Sequence, residues 1–263
     1  MAYQLELSPA LEKYRDKIES SIKPYIVISA EKNEKLVFWQ SKLGGLPYLP
    51  KGFEYPKGVQ GNPLFLLAQI NFEEVPCLEG FPQGGILQFY IADDDFYGAN
   101  WDNPTQQESF QVIYFPTISK TEDDLVTDFS FLPEPKGLPF FGSSSLQFKK
   151  KVAPVGYTDY EFEKLLGVHF FEQFGDKEDD IWEEYAEKFS SEGHKIGGYA
   201  YFTQEDPRLD KESVEKYILL LQIDTDNAVD IMWGDSGVGN FFIPQTDLEK
   251  LDFSRVLYTW DCH

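Results

Sequence analysis

Two cysteines, Cys77 and Cys262, are all that 263 residues contain. That is too few for a disulfide framework, which excludes the small stapled folds of secreted proteins. Long apolar runs are missing too. No stretch approaches the roughly 18 apolar residues that a membrane-spanning helix needs. Met1 to Ser20, MAYQLELSPALEKYRDKIES, is charged throughout where a secretion leader would carry an apolar segment. Positive charge is scarce, with 23 Lys and Arg against 45 Asp and Glu, a net charge of −22. Binding to nucleic acid or to an anionic membrane depends on neutralising phosphate with Lys and Arg, so neither is an expected partner. A basic protein partner or a cation would be attracted instead. A soluble cytoplasmic protein is the expectation.

Chemical motifs are few. No phosphate-binding glycine loop with a following Lys-Ser/Thr is present, and Lys42-Leu43-Gly44-Gly45 has the wrong order. Two cysteines and three histidines show no metal-ligand spacing, so no metal and no cofactor is expected. Asp224-Thr225-Asp226-Asn227-Ala228-Val229-Asp230 alternates oxygens as a calcium loop does, but lacks the central Gly and distal Glu. It reads as a solvated strand connection. Cys262 and His263 are neighbours on a strand and face opposite ways, which does not make a nucleophile and its base.

What is abundant is core material: 42% hydrophobic residues, with 23 Phe and 15 Tyr. Their arrangement repeats. Ser41-Lys42-Leu43-Gly44-Gly45-Leu46-Pro47-Tyr48 recurs as His194-Lys195-Ile196-Gly197-Gly198-Tyr199-Ala200-Tyr201, at a spacing of 195 − 42 = 153. Leu66-Leu67-Ala68-Gln69-Ile70-Asn71 recurs as Leu219-Leu220-Leu221-Gln222-Ile223-Asp224, where 222 − 69 is again 153. A third block sets Gly84 over Gly237 and Phe89 over Phe242 at the same spacing. The fold expected is mainly β, an α+β arrangement with a few peripheral helices. It is internally duplicated, with two pseudo-symmetric β-rich halves packed as one unit. Residues 1–263 form one domain: a first copy over about 36–115, an insertion with helices over about 116–193, and a second copy over about 194–260.

The repeat decides how Gly234-Asp235-Ser236-Gly237 is read. The stretch matches the surroundings of a serine-protease nucleophile, yet in the first copy Phe81-Pro82-Gln83-Gly84 fills the same place before an apolar strand. Gly, Asp and Ser favour such a turn for backbone reasons alone. It is therefore not read as a serine protease site.

Glutamines inside continuous apolar strands must find hydrogen-bond partners. Gln69 and Gln222 are expected to bond backbone or each other near a pseudo-twofold axis. Elsewhere, Ser8-Pro9 reads as a helix start with Leu11, Tyr14, Ile18 and Ile22 on one face. Tyr25 to Ser29, Lys35 to Gln40, Ser145 to Ala153 and Phe253 to His263 read as strands. Asp159 to Phe174 and Asp179 to Phe189 read as acidic helices, the second with an apolar stripe of Ile181, Trp182, Tyr185 and Phe189.

The blocks Ser41-Lys42-Leu43-Gly44-Gly45-Leu46-Pro47, Leu66-Leu67-Ala68-Gln69-Ile70-Asn71, Met232-Trp233-Gly234-Asp235-Ser236-Gly237 and Trp260-Asp261-Cys262 resemble those of the YwqG-like family of uncharacterised bacterial proteins. The resemblance implies a mainly β fold and a bacterial, cytoplasmic origin, and carries no catalytic residue with it. Some members lie near toxin and immunity genes, which suggests an immunity-like role by analogy.

Two functions follow. The first is a non-enzymatic binding protein for a basic protein partner, using acidic surfaces such as Asp93 to Asp95 and Asp176 to Asp180. The second is a small-molecule or metal-dependent enzyme with a site between the halves, for which Lys42, Gln69, Lys195, Gln222, Trp233, Asp235 and Asp261 are the candidate binding residues. No residue is singled out as catalytic.

Overall fold

A computed structural model describes residues 4–209 and 215–263 of the chain. The first three residues of the charged amino-terminal stretch lie outside it. Among the described residues, ten antiparallel strands form one sheet that curls into a nearly closed barrel. In chain order they are β1 (Lys23–Lys32), β2 (Lys42–Gly44), β3 (Phe65–Asn71), β4 (Ile86–Ile91), β5 (Phe110–Phe115), β6 (Ser143–Ala153), β7 (Lys195–Gly197), β8 (Tyr217–Asp224), β9 (Val238–Pro244) and β10 (Leu257–Asp261). Their spatial order is β10-β9-β8-β7-β1-β6-β2-β3-β4-β5. The long pair β1–β6 is the spine, and a four-strand meander runs outward on each side of it. β6 comes from the segment between the two repeat blocks, yet it sits at the centre of the sheet, paired with both β1 and β2.

The apolar strands face inward and fill the barrel. Ile26, Leu43, Ile70, Phe89, Ile196, Leu221, Phe241 and Tyr258 belong to one buried cluster. The two end strands meet through side chains, with the Phe110 ring 5.2 Å from Tyr258. A second core lies outside the barrel, where α1 (Arg15–Ser20), α2 (Glu161–Leu166) and α3 (Glu178–Lys188) pack together. Leu11, Ile18, Ile181, Tyr185 and Phe189 are buried there, as the stripe predicts, whereas Trp182 is turned outward against Tyr157.

Four expectations are corrected. Asp159 to Phe174 is not one helix: α2 ends at Leu166, Gly167 turns the chain at φ 118°, and a separate 3-10 stretch begins at Glu172. The first helix begins later than Ser8-Pro9: a 3-10 turn over Glu12–Tyr14 leads into α1, and Ser8 contributes its carbonyl to the turn rather than a side-chain cap. The run from Lys35 to Gln40 is not a strand. Its carbonyls are taken by side chains of β2 and β3 instead of by a neighbouring strand. In the third repeat block the spacing slips by one residue. Gln88 lies opposite Gln69 and Asn240 opposite Gln222, so Phe89 corresponds to Phe241 (241 − 89 = 152), not Phe242. Strand facing has a period of two, so register decides which phenylalanine faces the barrel interior; the rings of Phe89 and Phe241 meet there at 4.9 Å, and Phe242 is buried on the opposite face.

Candidate functional site

Lys42 and Gln69 face each other across β2 and β3. The Gln69 carboxamide accepts the Tyr48 N–H at 2.8 Å and donates to the carbonyls of Phe38 and Gln40 at 2.7 and 2.8 Å. The buried Lys42 ammonium donates to the carbonyls of Val37, Phe38 and Leu46. Burial lowers its pKa to about 8, an effect that nearby Glu74 opposes without cancelling. Together the two side chains hold residues 37–48 against the sheet. Gly44 and Gly45, both at positive φ, turn the chain where a side chain on Gly44 would strike the Gly142 carbonyl.

Lys195 and Gln222 repeat this arrangement across β7 and β8. Gln222 accepts the Tyr201 N–H and donates to the carbonyls of Ser191 and Gly193, at 2.8, 2.9 and 2.8 Å. Lys195 donates to the Ser191 carbonyl, lies over the Tyr25 ring, and is likewise lowered to about 8 by burial. One position differs in chemistry: Ser41 Oγ accepts the Asn71 N–H, and His194 Nδ1 accepts the Asp224 N–H, each at 2.9 Å. Because Nδ1 accepts, Nε2 carries the proton; it points toward Asp226 Oδ2 at 3.5 Å. Desolvation lowers the His194 pKa. The two Lys–Gln pairs are not brought together. β7 and β2 are separated by β1 and β6, about 14 Å at ordinary strand spacing.

Trp233, Asp235 and Asp261 lie near the last strand, Trp233 against Trp260, Asp235 bonded to His263, and Asp261 at the end of β10. Trp233 is fully buried among aromatic rings, 5.7 Å from Tyr97 and 6.2 Å from Trp260, with its Nε1 unpartnered. Asp235 is exposed, and its main-chain carbonyl accepts the His263 N–H. Asp261 ends β10, and its carboxylate accepts the N–H groups of Thr203 and Gln204, at 3.1 and 3.0 Å from Oδ2. Burial raises its pKa despite those bonds. Beside it opens a cleft of about 580 Å³ walled by Trp101, Trp260, Phe202, Pro207, Glu205 and Asp261. The Trp101 ring is held edge-on by Phe96 at 5.1 Å and lies 6.1 Å from Trp260, whose Nε1 donates to the Phe96 carbonyl.

A scan against known families matches residues 41–262 to a domain of unknown function, DUF1963. The chain belongs to this family. The DUF1963 region begins at Ser41, takes in both Lys–Gln pairs and ends at Cys262 beside the cleft, leaving α1 and β1 outside it. No curated protein matches the chain.

Within that region the Gly234-Asp235-Ser236-Gly237 stretch is a turn ahead of β9, with Ser236 exposed at φ 57°. Among the described residues no hydrogen bond joins its hydroxyl to an imidazole, and no three His, Cys, Asp or Glu side chains are placed to hold a metal ion. The Asp93–Asp95 run is partly structural. Asp93 accepts the N–H groups of Lys136 and Gly137, and Asp94 those of Phe96 and Gly98, which fixes the turn behind Trp101. Sequence reasoning missed Trp101 and the buried ion cluster in which Arg208 pairs with Asp159 and Asp206. The aromatic-rich stretch Phe96-Tyr97-Gly98-Ala99-Asn100-Trp101, bounded by charge, is a legible signal for the first. Asp206 stands two residues before Arg208 (208 − 206), but Asp159 is 49 positions away (208 − 159), which leaves no signal for the cluster as a whole.

Proposed function

We propose that this chain is a non-enzymatic, cytoplasmic binding protein whose acidic surface engages a basic protein partner, in the manner of an immunity or neutralising factor. The observation that carries the reading is the −22 net charge together with the exposure of Asp94, Asp95, Asp176, Asp179 and Asp180. Such a field attracts a basic protein and speeds its encounter. Both cysteines are free, which suits a reducing compartment. The enzyme reading draws less support. The polar ends of Lys42, Gln69, Lys195 and Gln222 are engaged by backbone groups, so an added ligand would have to displace bonds already made.

We also infer that residues 36–115 and 194–260 are two copies of one unit within a single domain. The support is the matched bonding of Gln69 with Gln222 and of Ser41 with His194, and a β-bulge at Leu67 repeated at Leu220.

Affinity capture from the source cell's lysate at low and at physiological salt tests the binding function. A stoichiometric basic partner retained at both is expected. Physiological salt screens exposed charges beyond about 8 Å, so loss of every basic protein at that salt would reduce the attraction to a non-specific one and overturn the reading.

A further inference from the structure

We propose that the cleft beside Asp261 is a docking pocket for an arginine side chain of that basic partner. The inference rests on the binding function above and gives it a place on the molecule. Trp101 is 53% exposed, although two aromatic neighbours fix its ring. A large aromatic surface held rigid and left in water is a preformed platform that loses little entropy on binding. Two carboxylates, Asp261 and Glu205, stand beside it, and among the described residues no Lys or Arg lines the cleft. An anion is repelled there, and a cation gains from both the ring face and the acids.

Geometry favours a guanidinium over an ammonium. Asp261 is oriented by the N–H groups of Thr203 and Gln204, so a flat, forked donor can meet a fixed carboxylate while its face lies on an indole. The chain already holds one guanidinium this way. Arg208 lies 4.4 Å from the Tyr160 ring centroid and 4.2 Å from that of Phe242, and it bonds to Asp206 and Asp159. Phe242 in turn stacks on Phe202, a wall of the cleft.

The test follows the indole N–H resonances of the intact protein on titration with N-acetyl-arginine amide, its neutral citrulline counterpart and a neutral cello-oligosaccharide. Saturable shifts with the arginine amide, and none with citrulline, are expected. Trp101→Ala, at an exposed position, should weaken that affinity about tenfold, in line with a desolvated cation–π contact. Glu205→Gln should weaken it several-fold while leaving the fold intact. Absent shifts, equal shifts with citrulline, shifts with the sugar alone, or unchanged affinity in both variants would each overturn the pocket. A basic partner that binds both variants as tightly as the parent protein would also overturn it, with the binding function left standing. If the arginine amide saturates the cleft but no basic protein is retained at physiological salt, the partner reading fails and the pocket remains.

Discussion

Gln69 and Gln222, 222 − 69 = 153 residues apart, make matching bonds to backbone on opposite flanks of the barrel, and Gln69 also accepts from Gln88 Nε2 at 2.7 Å. Each carboxamide accepts a tyrosine N–H and donates to two carbonyls of the loop before its partner strand. A leucine of similar volume would remove all three bonds in either half; the Phe38 and Ser191 carbonyls keep the lysines, but the Tyr48 N–H and Gln40 carbonyl, or the Tyr201 N–H and Gly193 carbonyl, lose their side-chain partner. Gln69→Leu and Gln222→Leu should therefore each lower unfolding free energy by about 2–4 kcal/mol, more than a typical buried apolar exchange. Urea denaturation measures this; an effect below about 0.5 kcal/mol at either site would mean those groups find water.

The two buried lysines make stability depend on alkaline pH. Their folded pKa values are about 8 against an ordinary 10.5. Between those values the unfolded chain holds protons that the folded chain has released, so unfolding free energy rises with pH. Above pH 10 the trend reverses, because buried Tyr90 and Tyr258 keep protons that the unfolded chain loses. The urea midpoint should climb from pH 8 to pH 10 in the parent protein. A Lys42→Met/Lys195→Met double variant should show a smaller climb, and an identical slope would contradict the assignment.

His194 acts on the acid side. Its folded pKa lies below 6.5, so under that pH the unfolded chain takes up a proton that the folded chain refuses. The stability it contributes is full above pH 6.5 and is lost as pH falls toward the folded pKa. Protonation of Nδ1 would set a second donor against the Asp224 N–H, while Nε2–H stays on the Asp226 side of the ring. Ser41 does the same work with a group that does not titrate. His194→Ser should cost about 1 kcal/mol or more at neutral pH through the cavity it leaves. It should also remove the part of the acid-side slope below pH 6.5 that belongs to His194, read as the difference between parent and variant urea midpoints.

Ser236 should be dispensable. Its left-handed backbone costs an L-residue about 1 kcal/mol, which glycine avoids. Offset by the entropy that glycine adds to the unfolded chain, Ser236→Gly should leave thermal stability unchanged or raise it slightly. A fluorophosphonate probe should leave the parent protein unlabelled. Stoichiometric labelling at Ser236 would restore a nucleophilic role to the turn.

Much of this was legible in the amino-acid order. Continuous apolar runs such as Leu64 to Ile70 and Tyr217 to Ile223 mark strands covered on both faces, and they are β3 and β8. The glycine pairs mark the turns after β2 and β7, and the stripe from Ile181 to Phe189 marks a helix against a core. Lys35 to Gln40 was not legible, because its apolar residues suit a strand while the absence of a strand partner is a property of the whole fold. The third repeat block was misread by one residue, since turn length changes register without changing composition.

Composition, spacing and charge by themselves determined a mainly β chain with matched Lys–Gln pairs and an acidic surface, because facing periodicity and net charge are local or additive. Only the tertiary structure decided that the pairs face separate loops on either side of β1 and β6, and that their polar ends are used up. It alone brought Trp101 to Asp261 (261 − 101 = 160 residues on). Sheet order and curl set such distances, and neither is written in any one stretch of the sequence.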